Sequence, residues 1–192
     1  MNRKEQRGCP SSQSAETRAP KLALTMPCPA SSDLIQTLDD ARAFYAERLA
    51  GARTVTCGET KVVRIYCPPD LTHIYSIEEK DAAKRSALSE AERVTREIGA
   101  YVEVRRFDLD RARLMGRVLP TISNFLLSVA GPRRYGKEHR LLFGSLPDAR
   151  YMKVVLQPFA GQKRAHRLIT AFPVSKMVFD DASRDPAAKF PP

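Results

Sequence analysis

Between residues 131 and 176 the chain carries ten Lys or Arg against two acids, Glu138 and Asp148. A segment of that composition is suited to holding phosphate. Arg133, Arg134 and Arg140 offer planar forks that match paired phosphate oxygens, while Lys137, Lys153 and Lys176 act as point charges. Most of these cations have no acid nearby in sequence, so the segment sets up a field that draws in polyanions, nucleic acid first among them. A solvated basic face without a ligand is the competing reading. Tyr135 and Phe172 lie among the cations and are candidates for stacking a base, against a bland role as core aromatics. Thr170 offers a hydroxyl to a phosphate oxygen, or else fills a half-buried strand position. The three histidines, His73, His139 and His166, are the side chains that exchange protons near neutral pH.

The rest of the chain narrows the classes. Of the formal charge of +10, the leader 1–32 holds +3, residues 33–130 balance fifteen bases with fifteen acids, and the last sixteen residues sum to −1. Hydrophobic residues make up 43% of 192 residues, enough for one core and against wholesale disorder. No apolar run approaches the ~20 residues of a membrane-spanning helix, and the basic N-terminus has no apolar stretch for secretion, so a cytoplasmic protein without a membrane partner is expected. Cys9, Cys28, Cys57 and Cys67 form no C-x-x-C pair and read as reduced thiols. A zinc site from Cys57, Cys67 and His73 would lack a fourth ligand at familiar spacing. A Gly-rich phosphate loop, HExxH, GxSxG and a carboxylate cluster for two metals are all missing, so no metal or other cofactor is expected.

These residues need elements to position them. Residues 1–32, rich in Ser, Pro and charge, read as a disordered leader. Asp33 can cap a helix whose stripe is Leu34, Leu38, Ala41, Tyr45 and Leu49. Thr54 to Cys57 and Lys61 to Tyr66 flank Gly58-Glu59-Thr60 as a hairpin, and LTHIYS is extended. Glu78 to Ile98 reads as an exposed helix, LDRARLMGRVL as a second after Asp108, and Ile122, Phe125, Leu126 and Val129 as the stripe of a third. The period then changes to alternation over Glu138 to Phe143, Tyr151 to Gln157 and His166 to Phe172, with a last strand at Ser175 to Phe179. Short connections make these strands antiparallel. The expected fold is α+β: N-terminal helices on one face of a twisted antiparallel sheet of about four strands, with an upstream hairpin and the other face accessible. One domain would run from 33 to 180, followed by a flexible tail over 181–192. Alternation predicts that His139, His73, Arg134, Lys153 and Thr170 converge on one concave face.

The succession FDLDRARLMGRVLPTISN, RYGKEHRLLF, YMKVVLQP and HRLITAFP resembles the phage-associated nucleases of the barnase, EndoU, colicin and RelE-like superfamily, over roughly residues 54–180. The resemblance rests on the order of elements and the closing ITAFP. It implies a toxin-like RNA endonuclease that uses the RNA's own 2′-hydroxyl as nucleophile and needs no metal, with RNA and a cognate inhibitor or immunity protein as its partners. Such a reaction needs a base, an acid and cationic donors around the phosphate. Under the resemblance His139 in KEHR is the first candidate for proton transfer. His73 follows, assisted by Thr72, Tyr75 and Ser76, with Lys153 or Lys137 as alternative acids and Thr170 on the attacked hydroxyl. No two histidines are close in sequence, so a non-cleaving member that binds RNA or a protein partner fits the same pattern.

Overall fold

The computed structural model describes residues 34–57, 61–98, 100–134 and 137–189. The leader over 1–32, the expected cap Asp33, the turn Gly58-Glu59-Thr60 and Tyr135 lie outside the described residues.

Helix α1 (Leu38–Phe44) starts at Thr37, whose hydroxyl accepts from the Asp40 N–H at 3.1 Å while the Asp40 carboxylate accepts from the Thr37 N–H at 2.9 Å. This reciprocal cap satisfies two otherwise orphaned donors. A π-helical turn, Tyr45–Leu49, continues the stripe, so that Leu38, Ala41, Tyr45 and Leu49 are buried while Leu34 stays 65% exposed. Strands β1 (Gly51–Cys57) and β2 (Lys61–Cys67) then pair antiparallel, as the expected hairpin does. Alternation buries Val55, Val63, Ile65 and Cys67 and leaves Ala52, Thr54, Thr56, Val62, Arg64 and Tyr66 outward and exposed.

The four-stranded antiparallel sheet is corrected by the topology. The main sheet has six strands, β1-β2-β9-β8-β7-β6, with β6 (Leu127–Arg134), β7 (Lys137–Ser145), β8 (Tyr151–Phe159) and β9 (Gln162–Val174). It is mixed, because β2 pairs parallel with β9 through Arg64↔Ala165, Ile65↔His166 and Tyr66↔Arg167. The inward residues of the hairpin need the same core as Leu168 and Ala171, and joining the edge of β9 is how they reach it. A separate three-stranded sheet, β3-β5-β4, is built from β3 (Ser76–Glu78), β4 (Arg93–Ile98) and β5 (Tyr101–Phe107).

Three element assignments change with it. The long helix expected over Glu78 to Ile98 is only α2 (Ala82–Ala87), capped by Asp81, followed by β4. Its Ala-rich stripe buries no residue, so helix propensity had no packing to support it, whereas Val94 in β4 is 1% exposed. After α3 (Leu109–Arg113) and a 3-10 turn, α4 (Val118–Ser123) ends early. Leu127 and Val129 belong to β6 because alternation there delivers both beside buried Phe143. The strand expected at Ser175 to Phe179 is helix α5 (Lys176–Ser183), whose Val178, Phe179 and Ala182 share a helical face.

Helices therefore do not stack on one side from the N-terminus; they are short and mostly follow strands. The inner sheet face, with Leu142, Met152, Val154, Leu156, Leu168 and Ala171, packs against α1, α3, α4 and the small sheet. Contact with α4 is close enough that a Cβ at Gly144 would lie 2.9 Å from Thr121 Oγ1. On the outer face α5 covers Leu127, Val129 and Phe143, and Tyr151 stacks on Phe179 at 4.0 Å between ring centroids. The chain beyond 180, expected as a tail, stays on this side as far as Lys189, which bridges to Ser128. The outer face is thus covered over β6 and β7 and exposed over the hairpin. Among the described residues no helix is long and apolar enough to cross a membrane.

Candidate nucleic-acid interface

Three hairpins, β1–β2, β6–β7 and β8–β9, turn at the same end of the main sheet, as their registers require. That end collects charge from strands far apart in sequence. Lys61 and Arg64 come from β2, Lys137 and Arg140 from β7, Arg164 and Arg167 from β9, and all are exposed. Arg133 and Arg134 close β6 at the same end. Among the described residues, none of those six exposed side chains is in an ion pair, whereas other cations of the 131–176 segment are engaged elsewhere. Arg150 pairs with Asp148, and Lys176 reaches Asp180 at 2.6 Å. Lys61 and Arg64 lie in the charge-balanced part of the sequence, and only the parallel pairing of β2 with β9 reveals them.

Register also decides faces. Leu141, Val155 and Thr170 form one outward row, and Phe143, Lys153 and Phe172 form the next. His139, opposite Gly131, is outward by alternation with Leu141. His139, Lys153, Thr170 and Phe172 therefore share a face, but two strand spacings and one residue pair separate His139 from Thr170, about 12 Å between Cα atoms. Phe172 holds Arg111 at 5.5 Å and Lys153 at 5.7 Å over its ring, so the protein's own cations occupy the surface offered to a base. Arg140 and His166 point to the inner side, Arg140 paired with Leu156 and His166 with Pro158. Burial, then the charges of Arg140 and Lys61, hold the His166 pKa below its ordinary value. The Nδ1 atoms of His139 and His166 are buried without a hydrogen-bond partner. A cavity of about 340 Å³ lies beside β6, lined among others by Glu138, His139, Arg140, Pro158 and Lys189.

His73 stands apart from this group. It sits on the 3-10 turn Thr72–Ile74, and Arg96 Nη1 of β4 lies 3.3 Å from its Nδ1 and 3.2 Å from its Nε2. Burial, then Arg96 and Arg105, outweigh Glu103 and Asp70 and push its pKa down to about 4. The residues expected to assist it serve the fold. Tyr75 packs edge-on to Tyr45 at 6.3 Å, and Ser76 Oγ accepts from Arg105 Nε at 2.9 Å while donating to the Thr72 carbonyl at 2.6 Å. Convergence of His73 with His139 is not what the structure shows.

A pH dependence follows from this environment. An unfolded histidine titrates near ~6.5, so between that value and about 4 the unfolded chain binds a proton that folded His73 refuses. Stability contributed by neutral His73 is complete above the unfolded pKa and is lost as pH falls through this window. Its size is on the order of 1–2 kcal/mol after discounting for the ring's residual solvent contact. Urea unfolding of wild type and His73→Asn from pH 7 to 4.5 should show the steeper decline in wild type; parallel curves would remove the assignment.

Cys57 and Cys67 are free thiols, and Cys57 Sγ donates to the Ile122 carbonyl at 3.2 Å. Among the described residues no cluster of three His, Cys, Asp or Glu is placed to hold a metal ion. Compared with protein-family models, curated proteins and solved structures, the chain matches none.

Proposed function

We propose that the protein binds RNA at the turn end of its six-stranded sheet, as a non-cleaving module. The observation that carries this reading is the gathering of exposed Lys61, Arg64, Lys137, Arg140, Arg164 and Arg167 at one end without ion-pair partners among the described residues. Separated cations on a rigid sheet match a chain of phosphates, and releasing the polymer's counterions supplies the affinity. Strand ends are also stiffer mounts than loops, so the charges are held apart before the ligand arrives.

Binding is favoured over transesterification by geometry. A base and an acid must both come within hydrogen-bond reach of one reacting phosphodiester. His139 is outward, His166 inward and His73 beside Arg96, while Thr170 is about 12 Å from His139 by sheet spacing. The test is titration of a labelled RNA oligonucleotide at rising salt, in chelator, with the RNA examined on a gel afterwards. Salt-sensitive binding of RNA that remains intact is expected. Cleavage in chelator would restore the 2′-hydroxyl mechanism, and absence of binding at low salt would remove the reading altogether.

A further inference from the structure

We propose that the ligand is single-stranded RNA, laid across the outer face of β2, β9 and β8 with one base stacked on Tyr66; this rests on the RNA-binding reading above. Tyr66 is 41% exposed on the open outer face of β2, the large aromatic of that face of the hairpin. Register sets its surroundings. Tyr66 pairs with Ala52 on one side and with Arg167 on the other, and Arg167 pairs with Gln157. An aromatic, a guanidinium and an amide thus stand in one row, about 5 Å apart from strand to strand.

Arg64 lies two residues before Tyr66 on the same face, opposite Ala165 on β9. Ala52 and Ala165 are too small to cover the ring, and α5 meets β6, β7 and the Tyr151 and Val174 ends of β8 and β9, seven residues along β9 from Arg167, the partner of Tyr66. The outward positions Thr54, Thr56 and Val62 are exposed as well, so the face is open. An accessible ring flanked by cations is the arrangement by which sheet surfaces hold unpaired bases, stacking being tolerant of sequence and the cations following the backbone.

The same geometry argues against a duplex. Paired bases keep their faces inside the stack, and the deep, narrow major groove of A-form RNA admits no sheet. Gln157 favours ribose over deoxyribose, since its amide offers a donor and an acceptor together, which is the pattern a 2′-hydroxyl requires. Sequence reading placed base stacking on Tyr135 and Phe172 because they lie inside the basic segment. Tyr66 lies outside it and joins the cations only through the parallel pairing.

The test compares the full-length wild-type chain with Tyr66→Ala, Tyr66→Phe, Arg64→Ala and Gln157→Ala. Each is titrated with a single-stranded RNA, the same sequence as DNA, and an RNA duplex. Tyr66→Ala should weaken single-stranded RNA binding about tenfold or more with the salt slope unchanged, while Tyr66→Phe keeps wild-type affinity. Arg64→Ala should instead reduce the salt slope by about one. Gln157→Ala should narrow the preference for RNA over DNA. Wild-type affinity in Tyr66→Ala, or equal losses on duplex and single strand, would overturn the inference while leaving the RNA-binding reading in place. Equal wild-type affinity for DNA would overturn the choice of ribose. If the wild type binds none of the three, the underlying reading fails instead. Tyr66 and Arg64 are exposed, so unchanged melting temperatures should accompany their variants.

Discussion

RNA affinity of the full chain should fall by about a thousandfold or more between roughly 50 and 200 mM salt, the response of a protein that neutralises about six phosphates. Exposed Lys61, Arg64, Lys137, Arg140, Arg164 and Arg167 are the groups that would do so. Replacing Arg64, Lys137 and Arg167, which share the outer face, together by Ala should lower the slope of log affinity against log salt by about three, and affinity near 0.1 M salt by about a hundred- to a thousandfold. Phosphate contacts position the polymer without reading it, so the loss should be the same for unrelated sequences. Lys176→Ala is the control, because this side chain is already held by Asp180 at 2.6 Å. A shallow salt dependence, or an equal loss in the control, would remove the electrostatic interface.

Glu103→Ala should destabilise the fold by about 3–5 kcal/mol, the usual consequence of stripping the partner from a buried charge. Arg105 is 7% exposed, and Glu103 meets its Nη1 while also lying 3.9 Å from Arg96 Nη1. Its remaining contacts are polar but uncharged. Nε donates to Ser76 Oγ and Nη2 to the Ser76 carbonyl, each at 2.9 Å. Without Glu103, Arg96 and Arg105 would face each other across the small sheet with no carboxylate between them. Urea unfolding should show a large drop in midpoint, smaller for Glu103→Gln, which keeps an acceptor. Removing Arg105 as well should recover part of the loss. RNA binding by the folded fraction should be unchanged, since these residues belong to β4 and β5 and not to the basic end. A Glu103→Ala protein as stable as wild type would show that the pair contributes nothing.

How much of this was legible beforehand depended on the range of the interactions concerned. The hairpin β1–β2 and the strands β7, β8 and β9 were readable because alternation and short turns are local patterns, and the burial they create follows the same period. The Glu78 to Ile98 stretch departs from its helical pattern for a complementary reason. Its composition suits an exposed helix, but Val94 gains burial only when β4 pairs with β5, a partner the local pattern does not contain. Leu127 and Val129 likewise fit a helical stripe until Phe143 is placed beside them.

By itself the sequence determined where the chain's excess positive charge lies, because a count of ten bases against two acids over 131–176 does not depend on how the chain folds. It also limited the histidines available for proton transfer to three. Tertiary structure alone decided which of these groups meet. Sheet register put His139 outward and His166 inward, and packing of the 3-10 turn against β4 took His73 away from both. It also brought Lys61 and Arg64 to the basic end and Tyr66 beside Arg167, since a parallel pairing between residues about a hundred positions apart leaves no local trace. A face of a sheet is a property of strand order, and strand order is set by which apolar faces can share one core.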